Sequence, residues 1–275
     1  MHKTTQGFQK TPRIPSPATA PLAEPLQIQP TSQELMYGWF AKKGWLTKRG
    51  KPRAQWAQNP DAKAESVRQL VVALKKDPRD LEFNDFHFNY LSGLISNYYN
   101  GSVYAAVSDA FPELNILPWE LMQTPRGFYE SKENRIAAVK WLVEKLGKDP
   151  RDITVEDFHS NRLGGLLLRN YNDSPYAAVS EAFPELNIHP WEMLSTPRGF
   201  NESKENRIAA VKWLVEKLGK DPRDITVEDF RSNRLGGLLN AYYRDSPYLA
   251  LLEAGLVTQA DEAYMKSRGL KRATA

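Results

Sequence analysis

Apolar residues recur at helical spacing over residues 132–146, and the same pattern returns 72 residues later. At 100° per residue, one arc of about 120° collects five apolar positions: Ile136, Val139, Leu142, Val143 and Leu146. Ser131 precedes this stretch and Gly147 follows it, which is the usual chemistry of a helix N-cap and a helix C-terminal stop. The pattern therefore predicts an amphipathic helix from about residue 132 to residue 146.

Three shorter helices are predicted after this one. The sequence from Thr154 to Asp157 fits a capping box, which opens a second helix through Phe158. A Leu-Gly-Gly-Leu-Leu run starting at residue 163 begins a third helix, which ends near Tyr171. The Ser-Pro pair at 174–175 starts a fourth helix, and Pro184 ends it. No stretch of strand length alternates between apolar and polar residues, so the predicted fold class is all-α.

Internal repetition sets the predicted domain organisation. The string TPRGF begins at residues 124 and 196, and the string DPRD begins at residues 77, 149 and 221. We expect three small helical domains of period 72: repeat A at 52–123, repeat B at 124–195 and repeat C at 196–260. Residues 1–33 are rich in proline and poor in large apolar residues, so they predict a disordered tail. Residues 34–51 form a basic aromatic segment, and residues 261–275 form a basic C-terminal end.

Composition excludes all sites that need cysteine, and the distribution of charge separates the ends of the chain from the repeats. The 275 residues contain no cysteine, so disulfides, thiol nucleophiles and cysteine-ligated zinc sites are excluded. The net charge of +4 combines +6 over residues 1–51 and +3 over the last eight residues with −3 over repeat A, −2 over repeat B and 0 over residues 196–267. We find no catalytic constellation, metal site or cofactor motif. No apolar run is long enough to span a bilayer, and no signal-peptide core is evident, so we expect an intracellular, cytoplasmic protein, nucleoid-associated if bacterial.

Short helices joined by tight turns resemble helix-turn-helix modules, in which the third helix of each repeat would be the recognition helix. Repeats B and C differ at only two of their first 44 positions. Their third helices differ more: Leu168, Arg169, Asn170 and Asn172 become Asn240, Ala241, Tyr242 and Arg244. Such variation is typical of a modular reader of different subsites, and equally of neutral drift on a solvent-facing surface.

Basic residues in two places are candidates for nucleic-acid contact. Four flank the third helices and suit phosphates or guanine edges, or alternatively ion pairs with the acids of the second helices: Arg162, Arg169, Arg234 and Arg244. Six more lie in or just after the basic aromatic segment: Lys42, Lys43, Lys48, Arg49, Lys51 and Arg53. Cations there would neutralise phosphates and the interleaved aromatics would stack on bases. The alternative is a packed cap on repeat A with solvated lysines.

Four tryptophans indicate an interface. Trp141 and Trp213 lie nearly opposite the apolar stripe of the long helix, and Trp119 and Trp191 lie in a Pro-Trp-Glu box that closes a repeat. Packing between neighbouring repeats is the interpretation we favour, and a surface for a partner protein is the alternative.

The repeats also resemble a known type of domain. The stretch NRIAAVKWLVEKLGKDPRDITVEDF, the LGGLL run and SPYAAVSEAFPELNIHPWEM are similar to a tandem helical repeat domain of uncharacterised function in bacteria and phages. They are also similar to the helix-turn-helix repeats associated with homing endonucleases. The resemblance covers repeats A to C and implies DNA binding. No nuclease motif accompanies it, and repeat C lacks the Pro-Trp-Glu box.

These observations favour a non-enzymatic DNA-binding protein with tandem helix-turn-helix-like modules, regulatory or associated with a mobile element. The alternatives are a scaffold for protein–protein interaction and assembly, and RNA binding. The sequence leaves the oligomeric state open.

Overall fold

The computed structural model describes residues 29–52, 56, 57, 59 and 61–272, with side chains up to residue 267. The described residues form α-helices and short 3-10 turns, and the single bridge between Leu46 and Pro52 is their only β-type pairing. The predicted all-α class is confirmed. The first 28 residues of the predicted disordered tail, and Arg53, lie outside the described residues.

Fourteen α-helices make up the described part of the chain. In order they are α1 (Ser32–Lys42), α2 (Asp61–Leu74), α3 (Phe83–Phe88), α4 (Ser92–Tyr98), α5 (Val103–Ala110), α6 (Lys132–Leu146), α7 (Val155–Ser160), α8 (Gly164–Tyr171), α9 (Pro175–Ala182), α10 (Lys204–Leu218), α11 (Val227–Ser232), α12 (Gly236–Tyr243), α13 (Pro247–Glu253) and α14 (Glu262–Arg272). Helix α1 starts at Ser32, inside the predicted tail, because Thr31 and Glu34 form a capping box.

Each repeat contains one long and three short helices, and we call these groups module A (α2–α5), module B (α6–α9) and module C (α10–α13). The local signals act as expected in module B. The Ser131 side chain accepts a hydrogen bond from the Asn134 amide, and Gly147 ends α6 in the left-handed region at φ 61°. Thr154 and Asp157 form the capping box of α7. The helices of module C start and end 72 residues later, except at the end of α13.

Three hydrophobic cores lie along the chain, and they cross the predicted repeat boundaries. Ile116 and Leu121 belong to the core of module A, whereas Trp119, between them in sequence, belongs to the core of module B. The next boundary repeats this arrangement: Met193 packs in module B and Trp191 packs in module C. We call residues 116–122 and 188–194 the closing segments. Each one supplies side chains to two consecutive cores, so neighbouring modules share their packing.

Both ends of the array depart from this plan. Helix α1 packs Met36 and Phe40 into the core of module A, where both side chains are fully buried. Module C has no closing segment, and α14 lies against it, with Met265 packed on the core. The basic aromatic segment and α14 are therefore packed elements that cover the terminal modules.

Candidate nucleic-acid interface and module joints

Residues 47–51 form a tight turn, which we call the basic turn. The Thr47 amide donates to the Lys51 carbonyl at 2.8 Å, and the Gly50 amide donates to the Thr47 carbonyl at 2.8 Å. The Lys51 amide also donates to the Thr47 hydroxyl at 3.0 Å. Gly50 has φ 70°, a left-handed conformation in which a glycine avoids strain. Three hydrogen bonds across five residues give this turn a defined backbone.

Aromatic side chains hold the basic turn against α1. The Tyr37 hydroxyl donates to the Gly50 carbonyl at 3.1 Å, and its ring meets the Tyr90 ring edge-on at 6.4 Å between centroids. Trp39 and Trp45 pack edge-to-face at 5.2 Å and lie against the core of module A. The aromatics of this segment are thus used in packing, which leaves the cations as its exposed chemistry.

The cations of the segment point into solvent. Lys42, Lys48, Arg49 and Lys51 are exposed, and the described residues offer none of them an ion pair. Lys43 is also exposed but pairs with Glu65 at 2.5 Å and lies over the Trp39 ring. The structure therefore leaves four cations of α1 and the basic turn exposed, with no ion pair to the described residues.

Every module contains two short helices joined by three residues. In module B, α7 and α8 are connected by residues 161–163, and the middle one, Arg162, has φ 63°. The Asn161 side chain donates to the Asp157 carbonyl at 2.8 Å and fixes the end of α7. Arg234 takes the same backbone conformation in module C, and Tyr90 does so in module A. The connection between the two short helices thus has the same length and the same backbone conformation in all three modules.

The outer face of the second short helix is open. All four positions at which α8 and its C-cap differ most from α12 are exposed in both modules. Arg169 is exposed on α8, and Arg244 is exposed at the C-cap of α12 with φ 51°. Two of the four predicted third-helix arginines are thus available at this surface.

The other two arginines lie in the joints between modules. Arg162 donates from Nη1 to the carbonyls of Arg79 at 2.9 Å and Glu120 at 2.8 Å, and from Nη2 to Asp80 at 2.6 Å. Arg234 makes the same contacts one module later, to Arg151, Glu192 and Asp152. The acids that pair with them belong to the preceding module, so the sequence argument, which considered only acids of the same repeat, missed these partners.

The four predicted interface tryptophans also meet at the joints. Trp119 is 6% exposed and packs edge-to-face with Trp141 at 6.0 Å. Trp191 and Trp213 repeat this contact at 5.9 Å. The outer faces of Trp141 and Trp213 carry Lys145 and Lys217, whose ammonium groups lie 4.6 and 4.5 Å from the ring centroids. These lysine side chains thus cover the part of each tryptophan ring that the closing segment leaves uncovered.

A charged trio braces each of modules B and C. Arg135 donates to Glu181 from Nη2 at 3.0 Å, and the Tyr171 hydroxyl donates to the same carboxylate at 2.5 Å. The Arg135 guanidinium, helped by Tyr171, holds the pKa of Glu181 below its usual value. In module C, burial and the hydrogen bond to Glu253 raise the pKa of Tyr243 to about 12. Sequence reasoning missed these trios because their members lie 46 and 10 residues apart.

Among residues 29–52 and 61–267, no cluster of three metal-ligating side chains converges. None of the described helices is both long and apolar enough to cross a bilayer. Comparison with protein-family models, with curated proteins and with solved structures finds no match to this chain.

Proposed function

We propose that the protein is a non-enzymatic DNA-binding protein that contacts the phosphate backbone through its basic turn and the end of α1. The observation that supports this proposal is the hydrogen-bonded turn with exposed Lys48, Arg49 and Lys51, together with the exposed Lys42 at the end of α1. Cations held by a defined backbone lose less conformational freedom when they meet phosphates than cations on a flexible tail do. DNA is therefore a suitable ligand for this surface.

The modules supply the second part of the proposal. Their paired short helices resemble helix-turn-helix units, and the outer faces of α8 and α12 are exposed and differ in sequence. B-form DNA has a major groove that admits such a helix, whereas the major groove of A-form RNA is too narrow. The phosphate contacts would position the protein, and Arg169 and Arg244 would contribute at the modules. The role would place the protein in the compartment that holds the DNA.

The experiment measures binding to a double-stranded DNA of random sequence over a range of salt concentrations. We expect the triple variant Lys48→Gln, Arg49→Gln, Lys51→Gln to bind more weakly. The slope of log K against log salt should fall by about 0.9 for each lost phosphate contact. A matched control removes three exposed module lysines: Lys132→Gln, Lys204→Gln and Lys212→Gln. The proposal requires the control to retain the slope of the parent chain.

Three results would contradict the proposal. One is the absence of DNA retention at low salt. The second is an equal loss of slope in both triple variants, which would indicate diffuse attraction without a defined site. The third is a preference for an RNA duplex of the same length, which would favour the RNA-binding alternative. None of these results depends on the stability of the modules, because all six positions are exposed.

One observation favours the alternative of a protein-interaction scaffold. Met122 and Leu194 lie at the same place on the two closing segments, and their side chains are 52% and 59% exposed. Apolar side chains that recur at this exposure along an array suit a partner that follows the array. Capture of that partner would survive high salt and would be lost with Met122→Ser and Leu194→Ser.

A further inference from the structure

Module C contains a cavity that contributes to none of the contacts described so far. Its volume is about 480 Å³, which lies within the range of about 300–1,000 Å³ typical of ligand-binding clefts. It lies between the start of α11, the start of α13 and helix α14. Apolar side chains, among them Ile225, Val227, Tyr248 and Met265, form much of its wall.

In modules A and B, the chain's own closing segment lies against the counterparts of Arg223, which are Arg79 and Arg151, while the counterparts of Val227, Phe83 and Val155, stay exposed. Leu121 and Met193 are each 1% exposed and belong to the cores of modules A and B. The next residue in each segment donates its amide to the module: Met122 to the Arg79 carbonyl at 3.2 Å, and Leu194 to the Arg151 carbonyl at 2.9 Å. An extended segment with a buried apolar side chain thus closes each of these modules.

Acidic residues of the closing segments add a charged contact. Glu120 and Glu192 approach Arg79 and Arg151 at 3.7 and 3.5 Å, from the residue just before the buried apolar one. The segment that closes a module therefore has three features in sequence: an acid, an apolar side chain that is buried, and a residue whose amide reaches the arginine carbonyl.

Module C keeps the receiving residues but is closed differently. Arg223, which corresponds to Arg79 and Arg151, lies over the ring of Tyr264 from α14, with 5.8 Å to its centroid. Met265 stands where Leu121 and Met193 stand in sequence, yet it is only partly buried and borders the cavity. A helix at this place cannot insert its side chain as an extended segment does, so the cavity remains.

We propose that the cavity of module C binds an extended peptide segment of a partner protein, with an acid followed by two apolar residues. The first apolar side chain would enter the cavity beside Met265. The amide of the second would donate to the Arg223 carbonyl, and the acid would lie near Arg223 or Lys266, which both line the cavity. In modules A and B, the chain provides such a segment itself. Peptide binding at this cavity is independent of DNA binding.

The test uses the full chain and a fluorescent peptide with the sequence of residues 115–124, NILPWELMQT, as the probe. Fluorescence anisotropy measures its affinity. We expect saturable binding that the variant Val227→Glu weakens by about tenfold or more, because it places a charge on the apolar wall. The matched control is Val155→Glu, at the same position in module B, where the chain's own closing segment is in place. An acid at the first helical residue is compatible with both helices.

A second peptide and a second chain complete the test. The peptide with Leu121→Asp should not bind, because the cavity would have to accept a carboxylate. A full-length chain with Met265→Glu should bind the parent peptide more weakly, because the new charge would stand on the cavity wall that α14 provides. No binding to the parent chain, or an equal loss of affinity in Val227→Glu and Val155→Glu, would overturn the proposal.

Discussion

Arg162 of module B places its Nη2 atom 2.6 Å from Oδ1 of Asp80 in module A, across 82 residues of sequence. The same guanidinium bonds two backbone carbonyls of module A, and Arg234 repeats the arrangement between modules B and C. Both arginines have a left-handed backbone, at φ 63°. Their contacts couple consecutive modules in addition to the closing segments.

Replacing Arg162 with alanine should weaken this coupling. The side chain is about one third exposed, so solvent screens the ion pair, and we expect a loss of about 1–2 kcal/mol in the free energy of unfolding. Urea unfolding followed by circular dichroism measures it, and the single transition of a coupled array should broaden. Arg169→Ala is the control, because Arg169 is exposed and pairs with no other described residue. Equal effects of the two substitutions would mean that the joint contributes nothing to stability.

Replacing Trp119 with alanine should destabilise module B more than module A. The ring lies in the core of module B although it precedes that repeat in sequence, and a cavity of this size costs about 3–5 kcal/mol. Hydrogen exchange should show faster exchange in α6 and α9 than in α2 and α5. Trp191→Ala is the matched variant and should shift the loss to α10 and α13. Faster exchange in α2 after Trp119→Ala would contradict the assignment of the ring to module B.

Replacing Glu181 with glutamine should lower stability in a pH-dependent way. The folded pKa of this carboxyl is lowered by Arg135 and Tyr171. Its contribution is therefore present above the ordinary pKa of 4.5 and is lost as the pH falls through the folded value. We expect the variant to be about 2 kcal/mol less stable at pH 7, with a smaller difference at pH 3. Urea titrations at both pH values measure this, with the exposed Glu185→Gln as control. A difference that does not change with pH would exclude the charged contact as its cause.

The paired glycines of α8 should respond differently to alanine. A Cβ on Gly165 meets nothing within 4 Å, so Gly165→Ala should raise stability by about 0.5–1 kcal/mol. A Cβ on Gly164 would come within 2.7 Å of the His159 ring, which would have to move. Gly164→Ala should therefore raise stability by less than Gly165→Ala does. Thermal unfolding compares the two. DNA binding that is lost in Gly165→Ala despite higher stability would show that the nucleic acid approaches the backbone there.

Local sequence signals predicted most of each module. Ser131, Gly147, the Thr154 capping box and the Ser174-Pro175 pair mark helix ends, because each acts through hydrogen bonds within a few residues. Proline composition predicts a disordered tail over residues 1–33, but the capping box of Thr31 and Glu34 starts α1 inside it. Composition averages over a window, whereas a cap acts at one residue.

Contacts between modules were harder to predict. Nothing near Arg162 in sequence indicates that its partner is Asp80, because the pairing depends on how two modules are placed. The trio around Glu181 escaped prediction for the same reason. The exposure of Lys48 and Arg49 is easier to predict from the sequence, since a short basic turn cannot bury its cations.

The interleaving at residues 116–122 separates the unit that repeats in sequence from the unit that folds. The buried tryptophans of modules B and C, Trp119 and Trp191, come before repeats B and C begin at residues 124 and 196. Each core is therefore displaced towards the N-terminus by several residues relative to its repeat. Any 72-residue duplication, wherever its ends fall, carries one complete set of joint residues. An array of this kind lengthens by copying without a new interface having to evolve, and it ends where a helix such as α14 takes the place of the tryptophan.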